Sequence, residues 1–521
     1  MTTQHLIERL TAIHTNTNQV LELQINSEES LKIYAQSINC RNDIFLFIAR
    51  KGINKYLFVI SSKGDHAIVN KFQGEILRNN IFEKPTLIKQ CTINHQNAEI
   101  IRELFDFTKP VLIGLQNSIG FGDRLGLANP AHLRAVRGTN MKPILAQQSI
   151  RELERTNRRP EEVMDAATWA VFQEGFKEGF GSDADHLKTT DDIDLMVRAG
   201  FTMFTFDPGA YVVNEADSLP VNELLARTKS LPWDLLSDSF EKLLLRYDNK
   251  LFIISDDFCI QPNKHEVLRA LIKYGGVVAH TVRLYAYLKE TYPNYPFELE
   301  LSVDETDSVT SPFEHLFIAN ELRRLGIKLV SLAPRFVGDF EKGIDYKGNL
   351  DQFREQYSKH VKIAETFGPY KLSIHSGSDK FSVYEEIASL KQGHVHVKTA
   401  GTSYLEGLRT IASKAPGLFR EILDFAREQF ETERKTYHVS ADIQNVPPSS
   451  ECSDHQLLEL FDQNAARQVL HVTFGKVLSS KDRQGEYIFR ERIMKCLQEN
   501  EETHYEYLHE HFRRHLMPFY R

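Results

Sequence analysis

The segment Tyr370-Lys-Leu-Ser-Ile-His-Ser-Gly-Ser-Asp379 alternates apolar and polar side chains as far as His375 and then continues into small residues. This pattern predicts a β-strand with one apolar and one polar face that ends in a polar loop. Residues 297–304 and 394–402 follow the same plan. Strands that end in polar groups and alternate with helical patterns are typical of a barrel whose strand ends share one reaction site.

Strand candidates of this kind occur on both sides of a mainly helical stretch at about residues 209–290. They lie at residues 111–116, 143–148, 183–188, 201–207, 297–304, 328–334, 371–375 and 394–398. These are eight strand candidates, which is the number that an α/β fold of the TIM-type (β/α)8 barrel class requires. We therefore expect an N-terminal α/β extension at residues 1–105, a barrel with a helical insertion at residues 106–405, and a mostly helical C-terminal region at residues 406–521.

The composition limits the class of protein. The chain has 521 residues and a formal net charge of -8, without the basic run that a nucleic-acid partner would need. Its start does not show the charged and apolar regions typical of an export signal, and no apolar run approaches the roughly 18 residues that a membrane span needs, so we expect neither export nor a membrane span. The five cysteines are scattered and without CxxC spacing, as in reduced proteins. We expect a cytoplasmic enzyme with no nucleic-acid or membrane partner.

Histidines and carboxylates stand at several predicted strand ends. His186 and His375 come from different strands, and two histidines with one carboxylate can form an open site for Zn²⁺, Mn²⁺ or Ni²⁺. Asp185 directly precedes His186, and strict alternation would send these neighbours to opposite faces unless the strand has already ended. The third ligand stays open at this point, since four carboxylates qualify: Asp207, Glu300, Asp304 and Glu341.

Glu300 lies on the polar face of its predicted strand, inside the barrel. A buried carboxylate is costly unless it is paired or used, and desolvation would raise its pKa so that it could donate a proton. A buried salt bridge with Lys188 or Lys398 is the structural alternative. Asp185, near a cation, is expected to stay ionised and to accept a proton.

Positive charge at the strand ends exceeds what a neutral sugar requires. Asp123 and Arg124 follow the first predicted strand as candidate substrate contacts, and the forked guanidinium of Arg124 matches a carboxylate. Further cations at strand ends are Lys188, Arg335 and Lys398. The pattern predicts a polyhydroxylated carboxylate as substrate, although the glycine-containing loops at residues 376–378 and 399–402 leave a phosphorylated sugar open.

Many segments between about residues 110 and 475 resemble those of bacterial tagaturonate epimerases. Among them are GFGDRLGLANPAHLRAVRG (120–138), GFGSDADHLKT (179–189), LAPRFVGDFEKGIDYKGN (332–349), KLSIHSGSDKF (371–381) and HVKTAGTSYLE (396–406). The resemblance implies a divalent-metal-dependent enzyme that interconverts D-tagaturonate and D-fructuronate by inverting C4, in hexuronate catabolism. It also implies that Asp185 is the proton acceptor and that Glu300 is the proton donor, for which the Asp304-Glu305-Thr306 part of the same motif is a rival. The metal ligands that it implies are His186, Glu341 and His375.

The chemistry of such a substrate fits these residue types. C4 bears a hydroxyl and is β to the ketone, so its hydrogen is not acidic, and a retro-aldol route that breaks and re-forms the C3–C4 bond is one solution. A metal-dependent sugar aldolase would share this site but release the aldehyde. A non-catalytic barrel subunit of an aldolase would not need so many ionisable strand ends.

Overall fold

The computed structural model describes residues 20–24, 30–41, 43–61, 66–77 and 87–520. The first residues of the chain, on which the expectation of no export signal rests, lie outside the described residues, as do parts of the predicted extension at residues 1–105. Within the described residues, no helix combines the length and the apolar character that crossing a membrane requires.

The N-terminal part of the described chain forms an antiparallel sheet. Its described strands are Val20–Gln24 (β1), Ser30–Tyr34 (β2), Asn39–Arg41 (β3), Ile44–Lys51 (β4), Asn54–Ser61 (β5), Gly74–Ile76 (β6) and Leu87–Thr92 (β7). They pair in the order β1-β2-β4-β5-β7-β6, with β3 beside β4, and are accompanied by helices Ala67–Lys71 and His95–Leu104. The sheet packs on helix Pro160–Gln173, whose Trp169 and Phe172 share a buried cluster with Leu46 and Leu57.

A closed barrel of parallel strands follows. The strands after β7 are Ser118–Phe121 (β8), Lys142–Ser149 (β9), Gly181–Leu187 (β10), Met203–Phe206 (β11), Phe252–Ser255 (β12), Phe258–Ile260 (β13), Glu298–Val303 (β14), Ser331–Pro334 (β15), Lys371–Ile374 (β16) and Val395–Thr399 (β17). All except β12 and β13, which form a separate hairpin, are parallel neighbours in chain order, and β17 pairs with β8 to close the barrel. The predicted TIM-type fold is confirmed.

Helices surround this barrel. They are Asn129–Val136, Ile150–Thr156, Pro160–Gln173, Thr190–Arg198, Lys264–Thr291, Pro312–Arg324, Leu350–Phe367, Phe381–Leu390 and Thr402–Lys414. The stretch predicted as an insertion, residues 209–290, contains the β12–β13 hairpin, three short helices (Val221–Arg227, Trp233–Leu236 and Phe240–Tyr247) and most of Lys264–Thr291. Because Lys264–Thr291 packs against Thr190–Arg198 and Pro312–Arg324, it is the outer helix between β11 and β14.

The first barrel strand is β8, and the prediction that placed it at residues 111–116 is wrong. Val111 and Leu112 are 43% and 45% exposed, so two side chains of this apolar run do not enter the core. Gly114 has a φ of +61°, which interrupts an extended backbone at that point. Ile113 is buried, in a small cluster with Ile144 of β9.

The C-terminal region is helical and has a core of its own. Its helices are Pro416–Glu433, Asp454–Glu459, Asn464–Val472, Phe474–Ser479, Arg490–Glu499 and Glu501–Leu516. The buried side chains of all but the last of these helices pack with those of the barrel helix Thr402–Lys414, whereas those of Glu501–Leu516 belong to the barrel core. The last helix, Glu501–Leu516, contacts both Thr402–Lys414 and Asn129–Val136, and so ties the end of the chain to the barrel.

Candidate active site

The C-terminal ends of the barrel strands open into one cleft. Its inner part has a volume of about 50 Å³ and is lined by Asp185, His186 and Lys398, among others. Its outer part, of about 350 Å³, extends between the loops that follow β14 and β15. Tyr437 of the C-terminal region lines both parts. The cleft lies where a TIM-type barrel carries its reaction site.

Lys398, on β17, is the centre of a polar cluster inside the barrel. Its Nζ is 2.8 Å from Asp183 Oδ2, 2.6 Å from Asp185 Oδ1 and 2.8 Å from Glu300 Oε1. It also donates a hydrogen bond to Thr205 Oγ1 at 2.8 Å. Burial alone would lower the pKa of Lys398, but the three carboxylates raise it well above its usual value. The ammonium group therefore stays charged and holds the carboxylates together.

Asp185 and His186 both reach this cleft although they are neighbours on β10. His186 has a φ of +58°, and the pairing of β10 with β11 shifts register between Ala184 and Leu187. The strand thereby leaves regular alternation, and His186 Nδ1 lies 2.8 Å from Asp185 Oδ1. This irregularity explains how two consecutive side chains face one site.

His375, the first residue after β16, connects the Lys398 cluster to the loop after β14. Its Nε2 is 2.7 Å from Glu300 Oε1, and its Nδ1 is 3.1 Å from Asp304 Oδ1. The ring centres of His186 and His375 are 5.1 Å apart. Residues from β10, β14 and β16 thus meet at one point of the cleft.

His186, Asp304 and His375 form a candidate metal centre. One possible ligand atom from each residue lies within 4.8 Å of the others. Two imidazoles and a carboxylate are a donor set that Zn²⁺, Mn²⁺ and Ni²⁺ accept, and three protein ligands leave positions for oxygen atoms of a substrate. The residues present therefore fit a divalent cation.

Glu341, predicted as the third ligand, does not belong to this group of ligand atoms. Its carboxylate accepts hydrogen bonds from Gln468 Nε2 at 2.7 Å, Ser440 Oγ at 2.7 Å and Lys347 Nζ at 3.0 Å. Two of these donors belong to the C-terminal region, which engages the carboxylate away from the two histidines. The carboxylate that lies beside the two histidines is Asp304, which is one of the four that the sequence left open.

The charges around Glu300 contradict the prediction that this residue keeps its proton. Burial raises the pKa of Glu300, but Lys398 and His375 outweigh burial and hold the pKa well below its usual value. The pKa of Asp185 is also low, because His186 and Lys398 outweigh the burial of its carboxylate. An ionised Asp185 agrees with the proton acceptor that the sequence predicted.

This chain is similar to known proteins in both its sequence and its structure. A family model described as UxaE, tagaturonate epimerase, matches residues 34–518. The chain belongs to this family. The tagaturonate/fructuronate epimerase of Thermotoga maritima is 41% identical over 494 residues, which cover 93% of this chain and 96% of that protein. Two crystal structures of fructuronate-tagaturonate epimerase from Cohnella laeviribosi, one native and one with glycerol, match with a TM-score of 0.86 at 35% and 36% identity and cover 99% of each chain.

Membership of the tagaturonate epimerase family confirms the resemblance seen in the sequence and the prediction of an epimerase. Family membership alone does not assign a role to each side chain, and the geometry of the cleft bears on those roles. Of the two residues predicted to contact substrate after the first strand, Arg124 lines the inner part of the cleft. Arg124 donates to Glu152 Oε1 through Nε at 3.0 Å and Nη2 at 2.9 Å, while its Nη1 has no hydrogen-bond partner in the described part of the chain. It therefore remains a candidate substrate contact.

Asp123 has a different role from the one predicted. Its carboxylate accepts hydrogen bonds from backbone N–H groups of residues 125, 126 and 128, at 2.7–3.1 Å. These bonds use the acceptor oxygens to fold the loop after β8. Asp123 thus shapes the loop that carries Arg124 and is not among the residues found to line the cleft.

The other predicted cations differ in their surroundings. Lys188 has a side chain that is 63% exposed, with its Nζ 3.3 Å from Asp207 Oδ2, and it is not among the cleft-lining residues. Arg335 lines the outer part and donates to the Thr306 carbonyl oxygen. Lys398 is already balanced by carboxylates, so it positions those groups and does not offer a free charge to a substrate.

Asp183, Arg151 and Lys342 are among the residues of the cleft and its floor that were missed in the sequence. Asp183 is fully buried beside Lys398, and burial raises its pKa to about 6. It precedes Asp185 by two residues, and this spacing on one face of a strand was a usable signal. Arg151 and Lys342 line both parts of the cleft, but they lie in a helix start and a loop, where no periodicity identifies them.

Proposed function

We propose that this protein interconverts D-tagaturonate and D-fructuronate by inverting the configuration at C4, as part of hexuronate catabolism. The observation that carries the proposal is the cluster of Asp185, His186, Glu300, His375 and Lys398 at the strand ends of a barrel of the tagaturonate epimerase family. The names of the Thermotoga maritima and Cohnella laeviribosi relatives, both of which are tagaturonate/fructuronate epimerases, support the same substrate pair.

The metal that we propose is one divalent cation, Zn²⁺, Mn²⁺ or Ni²⁺, held by His186, Asp304 and His375. Such a cation supplies Lewis-acid stabilisation of negative charge on oxygen atoms of the substrate. Asp304 offers a carboxylate oxygen and each of the two histidines offers a ring nitrogen, which are ligand atoms that these cations take.

The proton transfers in this proposal belong to Asp185, Glu300 and Lys398. Asp185 takes the proton of the C4 hydroxyl while the C3–C4 bond breaks, and Glu300 returns a proton to the C4 oxygen after the aldehyde has rotated and the bond has re-formed. Because Glu300 is ionised, it must first receive a proton. Lys398 contacts both carboxylates, at 2.6 and 2.8 Å, so its ammonium group can give one proton to Glu300 as it takes the proton from Asp185, and it remains charged before and after the exchange.

The purified protein tests this function directly. It is incubated with D-tagaturonate and each of the three cations, and the products are followed by NMR. The proposal expects D-fructuronate, and the reverse conversion from D-fructuronate. Three-carbon fragments would favour an aldolase, and no conversion with any of the cations would favour a non-catalytic subunit.

We also propose a cytoplasmic location with the hexuronate as the small-molecule partner. The five cysteines are all free thiols, which suits a reducing compartment. Fractionation of cells that produce the tagged protein tests this, and recovery outside the cytoplasmic fraction would contradict it.

A further inference from the structure

We infer that Arg151 and Lys342 bind the carboxylate of the substrate and thereby select a hexuronate over a neutral sugar. The inference rests on the proposed function. Arg151 lies in the first turn of helix Ile150–Thr156, directly after β9, and Lys342 lies in the loop after β15. Both side chains line the inner and the outer part of the cleft, so they stand at the junction of the two.

The charges of this pair are available to a ligand. In the part of the chain that the structure describes, neither Arg151 nor Lys342 forms an ion pair with a carboxylate. Lys342 Nζ donates to Ser376 Oγ at 2.5 Å, and the Arg151 guanidinium lies 5.5 Å from the ring centre of Tyr437. Glu305 and Glu152 are acidic neighbours of both cations. Glu305 is exposed and therefore well hydrated, and the Glu152 carboxylate already accepts two hydrogen bonds from Arg124. An incoming carboxylate would meet two unpaired cations.

The other cations of the cleft have less charge to offer. Lys398 faces three carboxylates, and Arg124 is bonded to Glu152 through two nitrogens. Arg335 lines only the outer part of the cleft. Unpaired positive charge close to the catalytic residues is therefore concentrated at Arg151 and Lys342.

The position of the pair matches the shape of the proposed substrate. The reacting C4 is only two carbons from the C6 carboxylate, so the group that binds this carboxylate must lie beside the catalytic residues. Ser376, which anchors Lys342, directly follows His375 of the candidate metal centre. The nearby carboxylates of Asp185 and Asp304 would repel a uronate unless cations offset them. A guanidinium and an ammonium group both donate charge-assisted hydrogen bonds to a carboxylate.

Steady-state kinetics of matched variants test the inference. Arg151→Met and Lys342→Met should each lower kcat/KM for tagaturonate by about 10- to 100-fold, mainly through a higher KM, which is the usual effect of a hydrogen bond to a charged group. The double variant should lose more than either single one. The control is Lys328→Met, since Lys328 is an exposed lysine that precedes β15 at the opposite end of the barrel, and its kcat/KM should change by less than about twofold.

Ligand binding measured by calorimetry tests the same pair without turnover. The wild-type protein should bind a hexonate more tightly than the matching hexitol, and the double variant should lose that preference. Arg151→Lys and Lys342→Arg keep the charge and should retain most of it, which separates a charge effect from a folding defect.

The kinetic and the calorimetric experiments together distinguish failure of the inference from failure of the proposed function. A double variant that still prefers the hexonate as the wild type does overturns the inference, and so does a wild-type protein that binds a ketohexose phosphate more tightly than the hexonate. A wild-type protein that binds the hexonate through this pair but leaves tagaturonate unchanged would contradict the proposed function while the inference stands.

Discussion

Within its described residues, the molecule holds two groups of one aspartate and two histidines whose ligand atoms lie within 4.8 Å of one another. The strand-end cluster consists of His186, Asp304 and His375, and the C-terminal cluster consists of Asp379, His511 and His515. The strand-end cluster lines a cleft at the end of the barrel. The C-terminal cluster is buried where the loop after β16 meets the last helix.

The partners of the two aspartates account for the difference. Asp379 Oδ2 lies 2.8 Å from Arg467 Nη2, and its Oδ1 lies 2.6 Å from His511 Nε2. The backbone N–H of Asp379 donates to His515 Nε2 at 2.9 Å, which uses the lone pair that a metal would need. No described arginine or lysine forms an ion pair with Asp304. Ligand spacing alone therefore does not identify a metal centre. The strand-end cluster differs from the C-terminal cluster in its access from the cleft and in a carboxylate that no described arginine or lysine neutralises.

Removal of the metal should give the largest effect. Treatment with EDTA should lower turnover by about 1,000-fold or more, because Lewis-acid stabilisation contributes several kcal/mol, and Zn²⁺, Mn²⁺ or Ni²⁺ should restore it. His375→Ala should lose bound metal, measured by plasma mass spectrometry, whereas His515→Ala should keep it. Full activity of the metal-free protein, or loss of metal only in His515→Ala, would contradict the assignment of the metal to the strand-end cluster.

Loss of a proton-transfer group should have the next largest effect. Asp185→Asn and Glu300→Gln remove the titrating group but preserve the shape, and each should lower kcat by roughly 100-fold or more. Metal content should stay normal in both variants, because neither residue is a proposed ligand. If Glu300→Gln keeps most of its activity and Asp304→Asn loses activity with its metal still bound, the donor is Asp304.

A smaller effect, on metal affinity, should distinguish Asp304 from Glu341 as the third metal ligand. Asp304→Asn should weaken metal binding by at least about tenfold, since an amide is a poorer ligand than a carboxylate. Glu341→Gln should bind metal as the wild type does, because the Glu341 carboxylate is engaged by Gln468 and Ser440. Metal titrations of the two variants side by side check this, and the opposite ranking would return Glu341 to the metal centre.

The smallest effect concerns stability and belongs to the C-terminal cluster. Burial lowers the pKa of His511, but the Glu406 and Asp379 carboxylates outweigh burial and raise it from 6.5 to about 8. The protonated ring therefore stabilises the fold fully below about pH 6.5, and this contribution, about 2 kcal/mol, is lost as the pH rises through 8. His515, with a pKa lowered to about 3 chiefly by burial, stays neutral throughout, and Arg467 stays charged.

Thermal unfolding of the wild type and of His511→Gln between pH 6 and pH 9 measures this contribution. The melting temperature of the wild type should fall towards that of the variant as the pH rises, while kcat at a fixed pH should be similar in both. A constant difference in melting temperature across this range would mean that His511 does not titrate there.

Alternation along single strands made much of the barrel predictable. The segments that became β14 and β16 show one apolar and one polar face, so Glu300 and His375 could be placed at strand ends. The four residues of β8, Ser-Ile-Gly-Phe, alternate over too short a stretch to stand out, and the longer apolar run at residues 111–116 was chosen in their place. A strand this short is specified by its neighbours in the sheet and by little in its own sequence.

The protonation states and the partners of the site residues were harder to predict than their positions in the chain. Glu300 has a low pKa because Lys398 comes within 2.8 Å of it when the barrel closes, and no local pattern reports that distance. Asp304 and Glu341 both follow strands in polar loops, and only the contacts of Glu341 with the C-terminal region separate them. The direction of a loop depends on the elements that it meets, which lie far away in the chain.

The contacts of Asp379 also bear on how the protein is made. This residue follows His375 by four positions, and it is held by Arg467 and His511, which are synthesised much later. While the ribosome is still adding the final helix, the loop beside His375 lacks these contacts. Since domains begin to fold during synthesis, a barrel can close early while its cleft is still unfinished. We expect the nascent chain to gain activity only after helix Glu501–Leu516 has emerged from the ribosome and packed against the barrel.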